Sequence, residues 1–281
     1  MQKKTFVKIV STGVLLGKRI HQWLERSRIR VYAAQASFFM TISALPMLIL
    51  VLSLAGMLLP HGNGEVKQRL FDLLPAELGG VVETVLREVE EKANLPLLSM
   101  SAATLLWSAS RGIRGIGAGI RQVYGGKQRD RFLVYHARYL LYTVLIIAAG
   151  LLALGIWVFG DTIVAGLAPG GPARLIRLLN RSAFFILLIT VFLLSFRGMA
   201  GRSVTLWSQL PGAVFSAGGW LLYSRFFEFY VEHYAGSSYV YGSITSLILV
   251  MLWLYACMEI LLMGAGLNMV LCQGSGRKGK E

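Results

Sequence analysis

Glu259 is the residue whose type and position point most directly to chemistry, because it is the only carboxylate deep within a long apolar run of this chain. The run covers residues 243–271, and at ~1.5 Å of rise per helical residue it can cross a hydrocarbon core of ~30 Å. A carboxylate at that depth is costly, so it either serves a function or neutralises a basic residue. For the second role the preferred partners are Arg111 and Arg114. The sequence leaves both interpretations open.

Arg111 and Arg114 are candidate functional residues themselves. Together with Arg121 they recur at helical spacing after the second apolar run, so the three arginines share one helix face. Such a face at the cytoplasmic end of a membrane span could bind an anionic group. The alternative is that the arginines snorkel to the interface and fix the topology.

Polar residues in the first apolar run and aromatic residues before the last one complete the candidates. Gln35 and several hydroxyl side chains lie in the first half of the first run, and Pro46 predicts a kink. Polar groups within hydrocarbon face the bundle interior, so this half is predicted to line a packed core or a cavity. Small hydroxyls also serve as contacts between helices. Tyr239, Tyr241 and Gly242 belong to the aromatic segment that leads into the last run.

The sequence indicates no enzyme and no metal or cofactor site. The four histidines fall in four separate segments without metal-ligand spacing, and no phosphate-binding loop, nucleotide fingerprint or Gly-x-Ser-x-Gly motif occurs. The two cysteines form neither a disulfide framework nor a zinc motif. The formal net charge of +14 would suit a nucleic-acid partner, but its distribution along the chain favours a membrane topology. We therefore expect no catalytic residue, no cofactor and no bound nucleic acid.

Helices within a membrane must position these residues. The chain is 55% hydrophobic and only 15% charged, which is typical of an integral membrane protein. We predict an all-α integral membrane protein with six transmembrane helices, packed around the last one, and with amphipathic helices at the interface. The predicted spans are residues 33–59, 95–110, 134–159, 182–196, 210–227 and 243–271. The second and fourth are short, and length alone also allows the second to be re-entrant. In the fifth, Gly212, Ser216 and Trp220, with Gly219 beside them, predict a close-packing face.

The segments outside the spans differ in charge. Residues 1–31 carry eight Lys/Arg and one acid, and their amphipathic pattern predicts a basic arm that lies on anionic lipid or is simply solvated. Residues 60–95 are rich in acids and predict two short amphipathic helices broken at Pro75. Residues 32–273 form one membrane domain, and 274–281 form a basic tail.

The distribution of basic residues predicts the topology. With an even number of spans and the N-terminus inside, the cytoplasmic segments hold 20 of the 28 Lys/Arg. The positive-inside rule therefore places both termini in the cytoplasm and the acidic segment outside.

Several blocks of sequence, distributed in the right order, resemble the YihY/BrkB family of bacterial inner-membrane proteins. The blocks lie at residues 34–46, 106–110, 210–213, 238–243 and 253–268, and the resemblance covers about residues 20–272. It implies six transmembrane helices and no settled biochemical activity. Some members are described as virulence or serum-resistance factors, and one branch is linked to the export of lipids or lipid-A precursors.

Two further points follow from the resemblance. Many members carry the label ribonuclease BN, but the zinc motif His-x-His-x-Asp-His of the tRNA-processing enzyme of that name has no counterpart here. Members usually end the last span with Gly-Ala-Glu-Leu-Asn, whereas this chain has Gly266 at the acidic position. Glu259 lies two turns earlier on the same helix face, so a relocated carboxylate could serve the same partner.

Three hypotheses for function result. The first is a transporter or an export factor for a lipid or small molecule, with membrane lipids, and anionic lipids at the cytoplasmic face, as partners. The second is a non-transporting membrane scaffold in which the polar groups only hold helices together. The third, a nucleic-acid enzyme, has only the net charge in its favour. The sequence favours the first and leaves substrate, coupling and oligomeric state open.

Overall fold

The protein folds into α-helices throughout the part that the structure describes. A computed structural model describes residues 28–58, 95–126, 132–167, 173–201, 204–231, 233 and 242–277, and no strand occurs in these ranges. The helices are α1 (Ile29–Leu58), α2 (Leu95–Tyr124), α3 (Phe132–Leu167), α4 (Ala173–Met199), α5 (Leu206–Tyr230) and α6 (Gly242–Arg277). A helix satisfies its own backbone hydrogen bonds, which an apolar segment needs where water is absent. The predicted all-α fold is confirmed.

Each predicted span lies largely within one helix, but the two spans predicted to be short belong to long helices. The second helix has 30 residues and is therefore about 45 Å long, and the fourth has 27. The prediction ended the second span at residue 110 because arginines and glycines follow. The backbone stays helical to Tyr124, so α2 is not a short re-entrant segment.

Three of the described helices are long and apolar enough to cross a membrane on length and composition alone. Their apolar windows are Leu133–Ala153 in α3, Ser182–Met199 in α4 and Leu247–Cys272 in α6. These windows identify a membrane protein. A complete crossing by α1, α2 and α5 stays a prediction.

Several predicted features lie outside the described residues. They are residues 1–27 of the basic arm, the acidic segment 60–94 with its two amphipathic helices, Tyr239, Tyr241 and the end of the tail from residue 278. Gly242 is the first residue of α6.

The second helix, rather than the last, is the centre of the bundle. α2 packs against α1, α3, α4 and α6, whereas α6 packs against α1, α2 and α5. The C-terminal half of α2 contributes fully buried side chains to the core, among them Ile113 and Ile120. The prediction that the other spans surround the last apolar run is therefore wrong. Apolarity points to α6, but the packing also depends on how closely neighbours can approach, and the glycines of α2 admit several neighbours.

Glycines make that approach possible. Four glycines lie within residues 112–119 of α2 and all are buried. A methyl group at Gly115 would lie 3.4 Å from the backbone nitrogen of Ala36 in α1, and one at Gly119 would lie 2.9 Å from the side chain of Leu262 in α6. Larger residues at these positions would push α1 and α6 away from α2.

The crossing of α5 and α6 also brings backbone against backbone. A methyl group at Gly264 would lie 2.6 Å from the carbonyl oxygen of Gly212, and the buried hydroxyl of Ser216 occupies the same crossing. One turn further along α5, the ring of Trp220 stacks on Phe192 of α4 with 5.2 Å between centroids. The close-packing face predicted for the fifth span is thereby confirmed.

The Gly212→Ala variant should be less stable than the wild type. The added methyl group would meet the backbone carbonyl of Gly264 and the side-chain amide of Asn268, neither of which can move away freely. Overpacking of this kind costs about 1–3 kcal/mol. Gly218 in the same helix has no atom within 4 Å of such a methyl group. Gly218→Ala should therefore leave the stability unchanged or raise it, since alanine favours a helix. Unfolding in detergent measures both variants, and equal midpoints would contradict the packing described.

Candidate functional site

Glu259 forms an ion pair with Arg30, at the start of α1. The distance between Glu259 Oε1 and Arg30 Nε is 3.4 Å, and the two side chains are 26% and 80% exposed. The hydroxyl of Tyr255, one turn earlier in α6, interacts with the same carboxylate. The prediction of a polar neighbour is confirmed, but the preferred partners, Arg111 and Arg114, are wrong.

The reason lies in the rotation of α2. The contact of α2 with α6 is made through Gly119, and at ~100° per residue Arg114 is turned away from Gly119 by about 140°. Arg111 is exposed, and its guanidinium carbon lies 4.6 Å from the ring centroid of Trp107. Helical spacing identified the common face of the arginines but not the direction in which α6 would lie.

The arginine face of α2 has two different ends. Arg111 lies over Trp107 and also over the ring of Phe39 in α1, at 5.6 Å. Arg121 instead donates a hydrogen bond of 2.7 Å from Nη2 to the hydroxyl of Tyr139 in α3. One end of the face thus reaches α1 and the other end reaches α3.

The polar half of α1 contacts its own backbone. Hydroxyl groups bond to carbonyl oxygens three or four residues earlier in the helix; they belong to Ser37, Thr41 and Ser43. Ser37 and Ser43 are buried, as predicted, but the prediction that Gln35 also faces the bundle interior is wrong. Gln35 is exposed, and Pro46 is buried within the continuous helix. The kink at Pro46 stays a prediction.

A buried polar cluster joins α2, α5 and α6. The backbone N–H of Gly212 donates to Asn268 Oδ1 at 2.7 Å, and Asn268 Nδ2 donates to the carbonyl oxygen of Gln209 at 3.0 Å. The same amide nitrogen lies 3.2 Å from Gln209 Oε1, which also accepts a hydrogen bond from the hydroxyl of Tyr124. Gln209 and Asn268 have no exposed surface.

Pro211 lies between the two backbone groups of α5 that Asn268 contacts. A proline inside a helix has no N–H to donate, and its ring displaces the carbonyl that it faces. The amide of Asn268 bonds to the backbone on both sides of Pro211. In the sequence these residues stand out only as parts of the family resemblance. A proline within one apolar span and an amide side chain in another are the signals that could have identified the cluster.

An apolar cavity lies in the middle of the bundle. Its volume is about 210 Å³, and all six helices contribute to its wall. One representative of each helix, in chain order, is Met40, Ile116, Gly150, Phe192, Trp220 and Met258. Ser195 is the one hydroxyl-bearing residue of the wall, and its hydroxyl donates to the carbonyl of Val191 at 2.7 Å. None of the candidate residues that the structure describes lines this cavity. Its chemistry suits hydrocarbon rather than a polar solute.

The described residues contain no evident metal site. No group of three or more His, Cys, Asp or Glu that could hold a metal ion occurs among them. Cys257 and Cys272 are both free thiols.

Comparisons with known proteins agree with these features. The family described as virulence factor BrkB matches residues 20–281. A relative from Bacillus subtilis (strain 168), named "Putative ribonuclease-like protein YfkH", is 28% identical over 244 residues, which cover 85% of this chain and 88% of the relative. No solved structure matches the chain.

A double-mutant cycle should detect coupling between Arg30 and Glu259 and none between Arg111 and Glu259. The variants are Arg30→Gln, Arg111→Gln, Glu259→Gln and the two pairwise combinations, with stability measured by unfolding in detergent. An exposed pair of this kind contributes about 0.2–1 kcal/mol. Glu259→Gln should fold better than Glu259→Leu, because glutamine keeps the shape and an acceptor. Coupling to position 111 instead of position 30 would contradict the observed pairing.

The Asn268→Leu variant should be strongly destabilised. It leaves the N–H of Gly212 without its acceptor and removes the donor to Gln209, and an unsatisfied buried polar group costs about 1–3 kcal/mol. Thr143→Val is the matched control, because the buried Thr143 hydroxyl bonds only one turn back, to the carbonyl of Tyr139. Unfolding midpoints of the two variants provide the test. Similar losses of stability in both variants would show that the contact of Asn268 with α5 contributes no more to stability than a hydroxyl bonded within its own helix.

Proposed function

Because the chain belongs to the virulence factor BrkB family, we propose that it acts in the bacterial inner membrane as an export factor that handles lipids or lipid-like envelope components. The protein is a helical membrane protein of this family. The observation that supports a lipid substrate is the apolar cavity in the middle of the bundle.

The size and wall of the cavity suit part of an acyl chain. Apolar cavities of about 150 Å³ already bind a molecule such as benzene, and they stay dry. The cavity here has about 210 Å³ and an apolar wall, so it accommodates a hydrocarbon segment but no headgroup. Gly150, one of the lining residues, is exposed on α3. An acyl chain can therefore enter from the bilayer past α3.

A polar solute has less support as the substrate. A path for an ion or sugar needs polar side chains that face the path. Glu259 does not line the cavity and is paired with Arg30. The buried hydroxyl of Ser195 is bonded to its own helix. These contacts favour a lipid over a polar small molecule.

A non-transporting scaffold is the alternative. It is favoured by the cluster at Asn268 and Gln209, whose polar atoms bond to neighbouring helices. In a scaffold such groups hold helices together and the cavity is only a packing defect. The two functions predict different effects of filling the cavity: an export factor loses lipid transfer, whereas a scaffold has no lipid transfer to lose.

The location and orientation follow from the same proposal. Both termini lie in the cytoplasm, the acidic segment lies outside, and anionic lipids contact the cytoplasmic face. The name of the Bacillus subtilis relative refers to a ribonuclease. We propose no such activity for this chain, because its sequence carries neither the zinc motif of that chemistry nor another acid–base constellation.

Filling the cavity should abolish lipid transfer without unfolding the protein. In Gly150→Leu the new side chain starts in open space at a residue that lines the cavity, since no atom lies within 4 Å of its first carbon. The control is Gly155→Leu on the same helix, which has equal room but does not line the cavity.

The measurement uses liposomes that contain the purified protein and a trace of fluorescent phospholipid. Dithionite destroys the fluorescence of the outer leaflet, so the rate at which protected lipid is lost reports transfer between leaflets. We expect at least a tenfold lower rate, about 1.4 kcal/mol, for Gly150→Leu and the wild-type rate for Gly155→Leu. No transfer by the wild type, under conditions where it is folded, would favour the scaffold.

A further inference from the structure

Arg111 and Arg114 lie deeper than the end of a membrane span. Gly119 of α2 packs against Leu262, which is ten residues from the end of the apolar window Leu247–Cys272. From α2 onwards, each helix packs antiparallel to the next one in the chain. α2 and α6 are four helices apart and therefore run in the same direction. Arg114 precedes Gly119 by five residues, so it lies ~7 Å further from the cytoplasmic end.

The contact with α3 gives the same depth. Gly117 meets the ring of Tyr139, which is six residues inside the apolar window Leu133–Ala153. Arg114 is one turn further in, and Arg111 is two turns further in. Both arginines are thus level with residues inside the apolar windows of α3 and α6, and with the stretch from Gln35 to Phe39 of α1. The sequence places them at the cytoplasmic end of the second span, and the helix α2 itself continues beyond Arg114 to Tyr124.

Neither arginine is neutralised within the described part of the protein. The ion pairs found there are Arg30–Glu259 and Arg225–Glu228, and Arg111 has only its aromatic contacts. Arginines at mid-membrane are costly, and where they occur they pair with another group or mark a pathway. The positive charge therefore needs an anion that the described helices do not supply.

Within the described part of the chain, Arg111 and Arg114 lie on a face of α2 that the neighbouring helices leave open. The ends of this face contact α1 through Arg111 and α3 through Arg121, so the open strip runs between α1 and α3. Trp107 is 54% exposed along this strip. Gln35 of α1, also exposed, lies against Gly115 beside Arg114. The strip thus combines two cations and an amide with an aromatic surface.

We propose that this strip binds the phosphate of an anionic phospholipid and lets the headgroup sit below the level of the other lipids. Guanidinium groups bind phosphate oxygens in a bidentate manner, and exposed aromatic surface suits the adjoining glycerol and acyl chains. A lipid is the occupant because both arginines lie at the depth of hydrocarbon, which free phosphate does not reach. The site deepens the proposed function and rests on it only for the claim that the bound lipid is also the one transferred.

The test compares lipid binding by the full-length protein and its charge variants. Purified protein is placed in membranes of phosphatidylcholine that contain spin-labelled phosphatidylglycerol or spin-labelled phosphatidylcholine. The immobilised fraction of each label gives the preference for the anionic lipid. Arg111→Gln/Arg114→Gln removes both cations of the strip. Arg225→Gln changes an exposed arginine of α5 that Glu228 already neutralises, and it serves as the control.

In the strip variant the preference for phosphatidylglycerol over phosphatidylcholine should fall roughly fivefold for each arginine removed. This factor corresponds to the usual free energy of attraction between one basic side chain and anionic lipid. The control variant should keep the wild-type preference within a factor of two. Arg111→Lys/Arg114→Lys should show a preference for the anionic lipid between those of the strip variant and the wild type, since lysine keeps the charge but not the bidentate geometry. An equal preference in the strip variant and the wild type would overturn the proposal.

Two additional measurements distinguish the lipid site from a protein interface and from the proposed export. Efficient disulfide crosslinking of a Trp107→Cys variant to a second copy would overturn the proposal, because a partner protein would then cover the strip. Lipid transfer is measured on the same membranes. Loss of the preference in the strip variant, with no transfer by the wild type, supports the site and refutes the proposed export. Transfer by the wild type with unchanged lipid preference in the strip variant supports export and refutes the site.

Discussion

The close approach of neighbouring helices to α2 is the constraint on which the rest of the bundle depends. Membrane helices gain little from hiding apolar surface, because lipid is as apolar as their side chains. Their association relies on contact area and on polar groups that meet. The glycines at 112–119 bring α1, α3 and α6 onto α2, and this in turn fixes where α4 and α5 can pack. The depth and direction of the arginines are consequences of this arrangement.

The polar side chains of the bundle fall into two groups with different roles. One group is satisfied inside the protein: hydroxyls such as that of Ser195 bond to their own helix, the hydroxyl of Tyr124 bonds to Gln209, and the amide of Asn268 bonds to the backbone of α5. The other group, Arg111 and Arg114, faces outwards without an anionic partner among the described residues. Stability explains the first group. The second group remains costly unless the membrane supplies its partner, so it carries the functional argument.

The sequence predicted the helices well and their arrangement less well. Apolar runs are local signals, so all six helices could be located from composition and periodicity. The length of α2 was missed because hydropathy treats Arg111 and the neighbouring glycines as the end of a span. The partner of Glu259 was also missed, because helical spacing identifies a face without saying which helix lies opposite. The cavity could not be predicted, since six helices each contribute a part of its wall.

The bond between Asn268 and the backbone around Pro211 has a consequence for biosynthesis. α5 leaves the ribosome before α6, and until α6 arrives the N–H of Gly212 lacks the acceptor that it has in the folded protein. A helix with an open backbone position is poorly suited to wait alone in hydrocarbon. The connection between the two helices spans only residues 231–241. The contact of Asn268 with the backbone of α5 therefore forms only after α6 has been synthesised.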